Sequence, residues 1–115
     1  MQNFSNATIE GFVTHDPLAK TTKTGKSLCT FALAINHYSK SDEPPRVSFI
    51  EVETWDKMAD VCSRNITKGK RVLVTGSLRQ DRWEDDKGKM QSRLKIIGNE
   101  VVFLSAPKAA DEASA

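Results

Sequence analysis

Apolar residues at every second position, interrupted once by a helical period, restrict this chain to a small β architecture. Strand side chains alternate between faces, so Phe31, Leu33 and Ile35 share one face while Thr30, Ala32 and Ala34 share the other. The same alternation runs from Arg46 to Trp55, with Ile50 and Val52 on one side and Phe49, Glu51, Glu53 and Trp55 opposite. It recurs from Arg71 to about Trp83, where Val72, Val74 and Leu78 oppose Arg71, Thr75 and Arg79. An earlier run, Asn6 to His15, stops at Asp16-Pro17, because proline removes a backbone donor. The last run spans Met90 to Leu104. There Leu94 and Ile96 share one parity, Val101 and Phe103 the other, and Gly98-Asn99 between them implies a bulge. Gly76, on the inward parity, marks a bend or a close-packing point in a curved sheet.

One stretch has the period of a helix instead: Met58, Val61, Cys62 and Ile66 line one side after Asp56, which can serve as N-cap. Thr67-Lys68-Gly69-Lys70 ends it. Lys20 to Lys26 is a polar turn, Asn36 to Pro45 a mobile loop carrying Tyr38 and Lys40, and Asp85-Asp86-Lys87-Gly88 a hairpin turn. Three strands, a short helix and two strands is the chain order of a five-stranded OB-fold barrel, an all-β class with its helix between strands three and four. With 115 residues, 38% of them hydrophobic, the chain makes one domain with a modest core. That domain is placed at residues 1–105, followed by a tail, 106–115, that has no apolar period and is expected to be disordered.

Charge is unevenly distributed. Residues 64–95 hold ten Lys and Arg against four Asp and Glu, whereas residues 40–63 hold three against six. The basic region contains Trp83 and the acidic one Trp55. Rings and arginines together on a solvated sheet face suit bases that stack and phosphates that pair, which points to single-stranded nucleic acid. Glu51 and Glu53 on the same outward face should repel phosphate unless they pair with Arg79 or Arg71 on the adjacent strand. Cys29 and Cys62 have no Cys-x-x-Cys partner and read as buried free thiols; with His15 and His37 they make no metal set, and no metal or other cofactor is expected. Neither a leader pattern nor a run of membrane-spanning length is present in the sequence, so a soluble protein is expected.

Residues 4–104 resemble the bacterial-type single-stranded DNA-binding proteins. Ile9-Glu10-Gly11 leading to His15-Asp16-Pro17, the Phe31-Ala32-Leu33-Ala34 strand, Trp55-Asp56-Lys57, Lys68-Gly69-Lys70-Arg71-Val72, and Gly76-Ser77-Leu78-Arg79 running to Trp83 carry the resemblance. What it implies is sequence-tolerant binding of single-stranded DNA in replication, recombination and repair, by a cytoplasmic, nucleoid-associated homotetramer. Trp83, Trp55, Phe49 and Tyr38 are the implied stacking rings, and stacking contributes ~1 to 3 kcal/mol per base. Arg79, Arg82, Lys57, Lys68, Lys87, Lys89, Arg46 and Lys40 are the candidate phosphate contacts. Small Ala32 and Ala34 and an extended first strand would permit pairing between subunits. Relatives carry a long tail with an acidic tip that recruits replication and repair partners; Ala-Asp-Glu-Ala-Ser-Ala has neither the length nor the tip, so either this member does not recruit partners that way or the chain is trimmed, and tail-mediated recruitment is doubtful.

Two other functions compete. A dimeric primosomal-type OB protein, acting mainly as a partner-loading adaptor, would lean on lysines rather than rings. A nuclease or phosphate transferase would need more than Glu51 and Glu53, which no histidine or Gly-rich phosphate loop accompanies; no catalytic residue is assigned.

Overall fold

The computed structural model describes residues 3–104, so the tail assigned to 106–115 and the outer limits of the 1–105 domain lie outside the described residues. The elements run β1 (Ala7–Val13), β2 (Leu18–Thr21), β3 (Ser27–His37), β4 (Arg46–Trp55), α1 (Asp56–Asn65), β5 (Arg71–Glu84) and β6 (Met90–Leu104). Pairing proceeds β1-β5-β6-β4-β3, and a further β1–β3 pairing at Phe12↔Ala34 and Val13↔Leu33 joins the two ends into a closed barrel. All neighbours are antiparallel except β4 and β6, which run parallel with Glu51 opposite Lys95 and Glu53 opposite Ile97. This is the barrel that the chain order implied, with one addition. The segment assigned to a polar turn, Lys20 to Lys26, opens on the end of β2, a four-residue edge strand bonded to β3 (Leu18↔Thr30, Thr21↔Ser27), and only Thr22 to Lys26 forms the turn. Its four residues are all exposed, so no alternation of apolar and polar residues betrays it.

Inward-facing residues fill the barrel: Val13, Cys29, Phe31, Leu33, Val52, Val72, Val74, Ile96 and Val101, closed at one end by Ala59, Cys62 and Ile66 from the helix side. Both cysteines are free and buried, and burial pushes the Cys62 thiol up to about 11. The Thr54 hydroxyl, also buried, donates to the Cys29 carbonyl at 2.8 Å. Two glycines permit the curvature. A Cβ on Gly76 would lie 1.9 Å from the Ile97 carbonyl oxygen, and the register slips there from Thr75↔Glu100 to Gly76↔Gly98, leaving Asn99 as the extra residue of a bulge. Gly98 faces Thr54, Val52 and Val74, where a Cβ would meet side chains at 3.2–3.3 Å.

The N-cap of α1 is Trp55 rather than Asp56, and no side chain caps it. Asp56 is the first helical residue and has a φ of 58°, so the chain turns sharply from β4 into the helix. The barrel also ends sooner than β5 and β6 do. Beyond Ala7↔Gly76 on one side and Glu51↔Lys95 on the other, the two strands pair only with each other and project as a ribbon. Leu78 and Leu94, which share the inward parity, are therefore exposed rather than buried. A second ribbon is formed where β3 passes its last β1 partner, Ala34, and continues opposite β4 to His37↔Arg46.

Candidate nucleic-acid interface

The outward face of β3 and β4 carries small residues on β3 and large or charged ones on β4. Register places Ala34 beside Phe49, Ala32 beside Glu51, Thr30 beside Glu53 and Leu28 beside Trp55. A groove of about 600 Å³ lies along this face. Its floor includes Thr30 and Ala32, one wall is the β1–β2 connection at His15, Asp16 and Pro17 with Leu18, and the other is Phe49, Glu51 and Arg93. Ala32, expected to permit subunit pairing, also lines this groove. His15, Leu18 and Arg93 were not singled out as site residues. For His15 and Leu18 the signal available was position, since both flank the Asp16-Pro17 stop between the first two strands.

The four candidate rings occupy three settings. Tyr38 is 91% exposed in the loop at the tip of the β3–β4 ribbon, and Phe49 is 68% exposed at the root of that ribbon. Trp83 is 43% exposed near the tip of the β5–β6 ribbon, with the Arg93 guanidinium 5.7 Å from its ring centroid. Trp55 is half-buried at the junction of β4 and α1.

Between the two tryptophans runs a ladder of paired charges. Glu53 is 6% exposed, not solvated as its parity suggested. Its Oε2 accepts from Trp55 Nε1 at 2.6 Å and from Arg79 Nη2 at 2.9 Å, and its Oε1 accepts from Lys95 Nζ at 2.5 Å. Lys95 also reaches Asp81 Oδ2 at 2.6 Å, and Arg79 lies 3.6 Å from Asp81 Oδ1. Arg93 binds Glu51 at 3.1 Å while covering Trp83. Three carboxylates and three cations therefore neutralise one another, so the expected repulsion of phosphate by Glu51 and Glu53 does not arise from bare charge. Arg79 does pair with Glu53 but from two strands away, because β6 lies between β4 and β5; Arg71 pairs with Glu10 instead. Burial alone would raise the Glu53 carboxyl, but hydrogen bonds from Lys95 and Trp55 and the charges of Lys95 and Arg79 hold it below the usual carboxylate range. Lys95, despite burial that opposes its charge, is raised by Asp81 and Glu53.

The phosphate candidates divide among three places. Arg79, Arg82, Lys87 and Lys89 belong to the β5–β6 ribbon, Arg46 and Lys40 to the β3–β4 ribbon and its loop, and Lys57 and Lys68 flank the helix. Arg82 shares the ribbon face opposite Trp83. Asp85 pins the tip that carries Lys87 and Lys89, accepting from both their backbone N–H groups at 2.9 and 2.8 Å and from Gln91 at 3.0 Å. The Lys89 and Gln91 bonds, with that from Lys87, lower the Asp85 carboxyl. Lys68 stands behind the groove wall, its backbone N–H donating to Asp16 Oδ1 at 3.0 Å. Among the described residues only Arg79 of these eight enters a salt bridge, so the others present unneutralised charge. Among the described residues, no group of three His, Cys, Asp or Glu side chains is arranged to hold a metal ion, and no helix is long and apolar enough to cross a membrane.

The profile of the single-strand binding protein family matches residues 4–104. A single-stranded DNA-binding protein of Caldanaerobacter subterraneus subsp. tengcongensis is 36% identical over 96 residues, covering 82% of this chain and 63% of the relative. One from Treponema pallidum is 35% identical over 108 residues, covering 92% and 61%. The chain thus spans a little over six tenths of the length of these curated relatives. Among solved structures, the Plasmodium falciparum SSB complex with ssDNA superposes with a TM-score of 0.82 over 91% of this chain and 98% of that one, at 23% identity, a likeness of fold.

Proposed function

Because the chain belongs to the single-strand binding protein family, we propose that it binds single-stranded DNA with little regard to sequence, stacking bases on exposed rings and neutralising phosphates with unpaired cations. The observation that carries this is the outward barrel face itself. A groove floored by alanine runs between a loop wall and Phe49, and two ribbons extend it with further rings at Trp83 and Tyr38. Every base offers a π face, so such a track takes any sequence, and the bare lysines and arginines beside it add a salt-dependent term.

Trp83 and Trp55 stack on bases in this proposal, with Phe49 and Tyr38 extending the path. Arg82, Lys87, Lys89, Arg46 and Lys40 meet phosphates along the ribbons, Lys57 and Lys68 at the helix ends, and Arg79 does so only by leaving its carboxylates. The protein works as a homotetramer in the cytoplasm, holding strands apart from their complements during replication, recombination and repair, without cofactor or catalytic step. Several linked sites would raise avidity without new contacts. Titration with oligo(dT) while following tryptophan emission tests the assignment. Saturable quenching is expected, and unchanged emission with bound DNA removes the stacking proposal. The mass of the protein in solution, free and with a long oligo(dT), tests the tetramer.

A further inference from the structure

We propose that Glu53 is a positioning residue of the DNA track, fixing the Trp55 indole in the orientation that receives a base. The inference rests on the single-strand-binding function proposed above. A glutamate on the wall of a small barrel, nearly shut off from water, calls for an account, because a buried carboxylate costs more than an apolar residue of similar size would. Here the side chain is divided between two tasks. Oε1 faces Lys95, and Oε2 holds both the Trp55 N–H and Arg79. The anchoring is deep: Lys95 is itself buried and is held from its far side by Asp81. An indole turning on two torsions has one polar atom by which it can be fastened. That atom is bonded to one oxygen of a carboxylate that two cations hold, Arg79 on the same oxygen and Lys95 on the other.

The rest of the surroundings leaves the ring in need of such a fastening. Trp55 occupies the last position of β4 and the uncapped entry to α1, where backbone pairing ends and Asp56 turns the chain through a positive φ. Its register partner, Leu28, is only half-buried. Trp83 differs, since a cation covers its ring and its N–H has no protein partner among the described residues. Only the Trp55 ring is oriented through its nitrogen.

A double-mutant cycle between Glu53 and Trp55 separates positioning from general support. Glu53→Met removes the acceptor and the charge, and Glu53→Gln retains an acceptor oxygen and serves as the conservative variant should Glu53→Met fold poorly. Oligo(dT) affinity is measured for the wild type, each single variant, and each Glu53 variant combined with Trp55→Ala. Freeing Arg79 and Lys95 changes phosphate attraction in both backgrounds alike, so the coupling between the sites is the readout. Coupling of about fivefold or more is expected with Glu53→Met, and within about twofold with Glu53→Gln. In the DNA-free protein, the Trp55 indole N–H resonance should shift and exchange faster in Glu53→Met. Equal effects of Glu53→Met with and without Trp55, or an unchanged indole resonance, overturn the proposal while leaving DNA binding intact. Absence of oligo(dT) binding by the wild type overturns the binding function and this inference with it.

Discussion

Trp83 stands on a two-stranded ribbon with solvent on both faces, whereas Trp55 stands on a barrel wall with a helix starting beside it. Both rings are tied to charge, but differently. Arg93 lies over the face of Trp83, the surface a base would take, while Glu53 grips Trp55 by its edge. Under the proposed function, a base arriving at Trp83 would displace or flank a guanidinium that is more than half exposed, and one arriving at Trp55 would meet a ring whose N–H is held by a buried carboxylate. The tip of the ribbon can therefore change without disturbing the barrel. The wall cannot, because Glu53 and Glu51 are paired there with Lys95 and with Arg79 and Arg93 at the root of the ribbon.

Stability gives the largest contrast. Glu53→Ala leaves Lys95 buried with Asp81 as its remaining partner and orphans the Trp55 N–H, and should cost about 3 kcal/mol. Trp83→Ala removes an exposed ring and one cation contact, and should cost under about 1 kcal/mol. Urea midpoints check both. Equal losses would mean that the ribbon is as much a part of the cooperative unit as the wall.

Affinity should reverse the order. Trp83→Ala is expected to weaken oligo(dT) binding by about 2 kcal/mol, roughly thirtyfold, with folding intact. Trp55→Ala should weaken it less, because that ring is half-buried and offers less surface to a base. Fluorescence-anisotropy titration at one fixed salt concentration decides, and a larger loss at Trp55 would place the main stacking site on the wall.

Much of this contrast is legible in the sequence. Alternation located the core residues Phe31, Leu33, Val52, Val72 and Val74, and Gly76 and Gly98-Asn99 marked the bulge, because sterics at a glycine are local. What stayed hidden depends on partners distant in sequence. Glu53 reads as solvated by parity, and only the parallel pairing of β4 with β6, forty-odd residues away, brings Lys95 beside it. Leu78 and Leu94 have core parity, but parity does not reveal where a barrel ends and a ribbon begins. Asp56 has the chemistry of an N-cap, and the sharp entry into the helix gives that position to Trp55.

Salt sharpens the comparison by a smaller margin. Lys87→Gln and Lys89→Gln, at the ribbon tip, should each lower the slope of log affinity against log salt by about 0.7, the value for one phosphate of a single strand. Arg79→Gln should lower it distinctly less, since Glu53 and Asp81 already neutralise that guanidinium and it holds few counterions to release. Titrations across a range of sodium chloride concentrations give the slopes. If Arg79 matches the lysines, DNA draws it out of the ladder on binding.

Acid should produce the smallest effect; Asp81 and Asp85 on the ribbon also have lowered carboxyls, so the share of the wall is read as the difference between the wild type and a Glu53 variant. Glu53 has its folded pKa lowered, so its contribution to stability is fully present above the pKa it has in the unfolded chain, about 4.3, and is lost as pH falls through the lower folded value. Lys95 has its folded pKa raised, so its share persists through neutral pH and disappears only as pH rises past that value. Between these limits the ladder is insensitive to pH. Urea midpoints at pH 7, 5 and 3 should show the wild type ahead of Glu53→Gln by a constant margin down to about pH 5, narrowing at pH 3 as the carboxylate takes a proton. Substitutions at the ribbon tip should leave that narrowing unchanged, because Lys87 and Lys89 make no ion pair with the ladder. A margin that stays constant to pH 3 would mean that packing, and not the charge of Glu53, holds Trp55 and its neighbours against the barrel.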